Sequence, residues 1–208
     1  MHSSSSRFPR PAGWYDRLVT RDENWEDCEG LPLAIGSFTN EQRIREQIAG
    51  ALRLLGKYAP VDLARLRRLI RGIVVTQLYG AHAEWRKSLD VCIISTDYLE
   101  RDDTSPASIA ATITHELMHA RLDSFGFAYG ESQRPRVERI CFRASRRFLE
   151  RLPESTERDA AILVIEEYLT LDDSFWSDEA FRATNASQPW YIRAMRLLSR
   201  LLRWHRHT

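Results

Sequence analysis

The residues whose types and spacing point most directly to chemistry are His115-Glu116-Leu117-Met118-His119. On a helix, histidines four positions apart leave the same face, about one turn from each other. Two neutral imidazoles so placed hold one Zn²⁺. Glu116 is rotated by about a third of a turn from His115, so it reaches water at the metal without being a ligand. A bound metal lowers the pKa of that water toward ~7, and a neighbouring carboxylate takes its proton. The spacing therefore predicts hydrolysis by a metal-activated water, with His115 and His119 as metal ligands and Glu116 as general base. The plainer reading is a helix with two satisfied histidines and no metal.

A catalytic zinc commonly has three protein ligands and one open position. Glu138 is the preferred third ligand: it lies 19 residues after His119, at the edge of an apolar stripe formed by Val137, Ile140, Cys141, Ala144, Phe148 and Leu152. Glu131, Glu166 and Glu167 are rivals for that place, and a rim carboxylate paired with arginine is the plainer reading of Glu138. Asp123, one turn beyond His119, is expected to accept an imidazole N–H, as metal-bound histidines commonly require. Tyr129 and His82 are candidates for stabilising an oxyanion. Each is more ordinarily a structural residue.

The elements that must position these groups follow from pattern. Ser105-Pro106 supplies an N-cap and a proline at the first helical position, predicting a helix from there to about Ser124. Ser108, Ala111, Thr112 and Leu122 share its histidine face. Ile109, Ile113, Leu117 and Ala120 face a core, which leaves Thr114 and Arg121 for solvent. A second helix opens at Pro135 and reaches Leu152, and a third spans residues 156–171. Upstream, Thr39-Asn40-Glu41-Gln42 fits a capping box. Ile44, Ile48, Ala51, Leu52 and Leu55 then recur at helical spacing up to Gly56. Residues 60–69 are helical or extended. Residues 73–78 and 89–95 read as strands, and Tyr79–Ser88 between them is either a loop or a third strand. Residues 1–38 read as an irregular N-terminal arm, 39–175 as the metallohydrolase domain, and 176–208 as a helical extension packed on it.

Composition narrows the function classes. The chain has 208 residues, 30 basic and 29 acidic, and a net charge of +1. That balance lacks the electrostatic footprint of a nucleic-acid binder. No stretch has the length and apolarity of a membrane span, and the first residues lack a secretory apolar core, so a cytoplasmic location is expected. The three cysteines, Cys28, Cys92 and Cys141, form no CxxC pair and read as small buried hydrophobes. Arg193, Arg196, Arg200 and Arg203 form one stripe of a helix expected over about 188–206. Such a helix packs on its own domain or, less commonly, lies on an anionic membrane.

On these motifs the chain resembles the zincin metallopeptidases, and among them the gluzincins, which carry HExxH on one helix and a glutamate ligand on a following one. Thr112-Ile113-Thr114-His115-Glu116-Leu117-Met118-His119-Ala120 resembles their motif helix. Arg136-Val137-Glu138-Arg139-Ile140-Cys141-Phe142-Arg143-Ala144 resembles their glutamate helix. The arrangement is similar to thermolysin-like minimal cores and to ImmA/IrrE-type peptidases, over about residues 70–150. The metzincin pattern does not fit, because Leu122 and Phe125 stand where it needs glycine and a His or Asp. Arg121 stands where gluzincins more often have an apolar residue. The resemblance implies an α+β zincin-like fold, with a small mixed or antiparallel sheet packed on the two helices. It also implies a zinc peptidase with a peptide or protein substrate, and places the strand at 89–95 at the sheet edge beside the cleft, where an extended peptide pairs with it. The alternative function is a zinc-stabilised interaction or regulatory module without turnover, which a fourth protein ligand closing the metal site would favour.

Overall fold

The computed structural model describes residues 25–36, 40–78, 80–127, 129–177 and 179. The helix expected over about 188–206, with its arginine stripe, lies outside the described residues, as do residues 1–24.

Part of the expected N-terminal arm is sheet. Strands β1 (Glu26–Cys28) and β2 (Leu31–Ile35) pair antiparallel, with Cys28 opposite Leu31. The two linking residues, Glu29 and Gly30, have φ of 52° and 73°. Two left-handed residues match the twist of a tight hairpin, and glycine takes that conformation without strain. A Cβ on Gly30 would also lie 2.9 Å from Nη2 of Arg67. Leu31 and Leu33 alternate inward and are almost wholly buried, which anchors the hairpin to the core.

Helix α1 (Glu41–Tyr58) buries Ile44, Ile48, Ala51, Leu52 and Leu55. Each of the larger side chains contributes roughly 1.5–3 kcal/mol through burial. Asn40 is the N-cap and its side chain makes no capping hydrogen bond; Thr39, where the expected capping box begins, lies outside the described residues. The helix also continues two residues past Gly56. Helix α2 (Pro60–Leu69) follows at once, with proline in its first turn.

Strand β3 (Gly72–Thr76) lies parallel to β2, and the chain then runs out to β4 (Ala83–Arg86) and back into β5 (Val91–Ser95). β5 is parallel to β3 and antiparallel to β4, so the five-stranded mixed sheet has the order β1-β2-β3-β5-β4. The strand expected at the edge, β5, is therefore interior, and the edge is β4, drawn from the segment left open between loop and strand. All five β5 residues are buried and all four of β4 are half-buried. That difference is the physical signature of interior and edge.

One face of the sheet carries Leu31, Leu33, Ile73, Val75, Cys92 and Ile94 into the main core with the helices. The other carries the smaller cluster of Val74, Val91 and Ile93. After a single turn, α3 (Thr96–Leu99), comes the motif helix α4 (Pro106–Ser124), whose first turn is closed reciprocally. Ser108 N–H donates to Ser105 Oγ at 3.2 Å, and Ser105 N–H donates to Ser108 Oγ at 3.0 Å. Helix α4 touches α1, α2, α5 (Arg134–Leu149), α6 (Thr156–Thr170), β4 and β5. Thr114, expected in solvent, is 5% exposed and returns its hydroxyl to Ala110 O at 2.8 Å. A helix enclosed by so many neighbours has almost no solvent face, as the helical wheel implies by leaving only two residues for solvent, and Thr114 is the one it misplaces. The architecture is mixed α+β, and among the described residues no helix is long and apolar enough to cross a membrane.

Candidate metal centre

Three side chains converge from two helices. On α4, the Nε2 atoms of His115 and His119 are 3.0 Å apart. From α5, Glu138 brings Oε2 to 3.1 Å from His115 Nε2 and Oε1 to 3.5 Å from His119 Nε2. These side chains are only 12%, 13% and 9% exposed. A tetrahedral zinc with N and O ligands at about 2.0–2.2 Å separates them by roughly 3.3–3.6 Å, close to what is found. The donor chemistry also fits. Two imidazole nitrogens facing each other and one carboxylate need a shared cation, either a proton or a metal, because two lone pairs at that distance repel.

Without a metal the protons report that demand. Burial alone would raise the Glu138 carboxyl, but hydrogen bonds and charge from His115 and His119 outweigh it and hold the group well below the usual carboxylate range. Burial alone would lower His119, yet hydrogen bonds with Cys141 and Glu138 hold it well above an ordinary imidazole. Tyr129 donates its hydroxyl to Glu138 Oε1. Burial and the carboxylate charge push that phenol far up, so it stays a donor.

Aromatic rings fix the imidazoles. Phe142 meets His115 edge-on with centroids 4.5 Å apart, and Tyr168 stacks on Phe142 at 4.8 Å. Tyr129 stands perpendicular to His119 at 5.3 Å. Helices α4 and α5 are also pinned by Ser145, whose hydroxyl donates to Ala111 O at 2.8 Å.

Glu116 is buried, 5% exposed, and accepts the main-chain N–H of Trp85 on β4 at 2.6 Å through Oε2. Burial raises its carboxyl, against the pull of His115 and His119. It makes no hydrogen bond to Glu138 or to either histidine.

Other candidates fall elsewhere. Asp123 forms an ion pair with Lys87 in the β4–β5 turn and makes no hydrogen bond to either imidazole. Glu166 pairs with Arg146 at 3.1 Å, and Glu131 and Glu167 are exposed. His82 stacks on Tyr98 at 4.4 Å, and Tyr129 is committed to Glu138. One residue was missed. Cys141, read as an ordinary member of the α5 apolar stripe, is buried with its Sγ and the ligating nitrogens of His115 and His119 all within 4.8 Å of one another. Its position three residues after Glu138 was the available signal.

No family model, curated protein or solved structure matched this chain.

Proposed function

We propose that the chain is a zinc-dependent metallopeptidase with a zincin-like fold of the gluzincin type. The observation that carries this reading is the convergence of His115, His119 and Glu138 at 3.0–3.5 Å from one another. These three residues hold the metal. Bound there, Zn²⁺ supplies Lewis acidity, polarising the scissile carbonyl and acidifying water.

The remaining work belongs to the protein. Glu116 takes a proton from the attacking water and returns it to the leaving amine. Burial favours that role, because a carboxylate with a raised proton affinity is a better base. Tyr129 and the rings of Phe142 and Tyr168 keep the ligands in place. Apart from the Trp85 N–H held by Glu116, the outer edge of β4 offers main-chain groups with which an extended peptide pairs.

A second reading, a zinc-stabilised module without turnover, is favoured by Cys141, which is near enough to the imidazoles to close the site. Glu116→Gln separates the two. For the peptidase, the variant keeps about one zinc per chain and cleaves a peptide library at least ~10²-fold more slowly than the parent. Equal turnover in parent and variant removes Glu116 from the mechanism. A zinc-loaded parent that cleaves nothing leaves the second reading.

A further inference from the structure

Cys141 has the burial of a core residue and the neighbours of a ligand. It is 0% exposed, and its Sγ lies within 4.8 Å of the ring nitrogens of His115 and His119. Helix α4 presents His115 and His119 at i and i+4, and α5 presents Glu138 and Cys141 at i and i+3, the two spacings that put side chains on one helical face. Four donors from two facing helices are the full complement of a tetrahedral zinc. Resting on the metal-centre reading above, we propose that Cys141 is a fourth ligand of the same metal, closing the centre until a substrate takes its place.

The distances give the two ligand positions on α5 different characters. Glu138 oxygens lie 3.1 and 3.5 Å from the imidazole nitrogens, already at coordination spacing. The set that includes the sulfur spans up to 4.8 Å. Glu138 is thus the constant third ligand and Cys141 the displaceable fourth. On ligation the thiol S–H gives its proton to solvent and a sulfur lone pair binds the metal. On displacement the thiolate takes a proton back as a substrate oxygen or water fills the position. No electron is transferred in either direction.

Cobalt(II) added to the metal-free full chain tests this, because visible d–d bands report tetrahedral binding and a near-ultraviolet charge-transfer band reports a thiolate ligand. The expected result is both sets of bands in the parent and in Cys28→Ala/Cys92→Ala, where Cys141 is the one remaining thiol of the three. Cys141→Ser should lose the ultraviolet band and keep the visible ones. If Cys141→Ser does not fold, the double variant carries the test alone. Visible bands without the ultraviolet band overturn the thiolate ligand and leave the three-ligand centre intact. Absence of both, with no cobalt retained after gel filtration, overturns the metal centre itself.

Discussion

The main-chain N–H of Trp85 donates to Oε2 of Glu116 at 2.6 Å, joining the outermost strand of the sheet to the helix that carries the histidines. The geometry of β4 makes this bond available. Ser95 N–H donates to His82 O at 2.8 Å, and opposed pairs alternate between bonded and non-bonded along an antiparallel ladder. Trp85, opposite Cys92, therefore turns its main-chain groups away from β5 and toward α4. A charge-assisted hydrogen bond of this kind offsets part of the cost of burying the Glu116 carboxylate.

Replacing Trp85 with proline deletes that N–H while leaving the ladder to β5 intact, since proline is tolerated where an edge strand's N–H faces outward. Zinc content should stay at the parent level. Peptide hydrolysis should fall by about tenfold to a hundredfold, the range typical of lost support to a metal site. Trp85→Leu, which changes the side chain and keeps the N–H, should remain within a few-fold of the parent. Equal losses in the two variants would assign the effect to the indole ring and not to the hydrogen bond.

Tyr129 is placed to act on the proposed zinc through Glu138. Tyr129→Phe keeps the ring that stands against His119 and removes the hydroxyl that orients the carboxylate. Zinc affinity, measured by competition with a chelator, should drop about 10–100-fold, with thermal stability of the metal-free protein changed by no more than about 1 kcal/mol. Unchanged affinity would reduce Tyr129 to a packing residue.

What could be read from sequence was local. The HExxH helix, its Ser105-Pro106 start and the glutamate helix opening at Pro135 depend on spacing along one element, and each stands where the pattern put it. The β1–β2 hairpin was hidden because its turn uses Glu29-Gly30 and its second strand contains Pro32, both uncommon as strand signals. Ala83-Glu84-Trp85-Arg86 does alternate apolar and polar, but four residues are the shortest run that signals a strand, and the segment therefore reads equally as a loop. Cys141 and Asp123 show the other limit. A helical wheel assigns each to a face, but whether that face meets an imidazole or Lys87 depends on how α4 is packed against α5 and the β4–β5 turn.

Zinc should stabilise the chain more at higher pH, and the sign follows from the protons in the metal-free centre. The depressed Glu138 contributes stability that is present above the ordinary carboxylate pKa of ~4.3 and lost as pH falls through its folded value. The elevated His119 contributes stability that is complete below ~6.5 and lost as pH rises through its folded value. Raising the pH from about 6 to about 8 therefore removes support from the metal-free protein while making the proton that competes with the metal easier to displace. Zinc binding needs both imidazoles neutral and releases protons, so its affinity climbs over the same interval. Each tenfold gain adds about 1.4 kcal/mol at saturating metal, or about 3–6 °C in Tm for a chain of this size. The gap between zinc-loaded and metal-free Tm, read by differential scanning calorimetry, should widen by at least that much between the two pH values and vanish in His119→Ala. A gap that stays constant or narrows would mean that His119 does not exchange its proton for the metal.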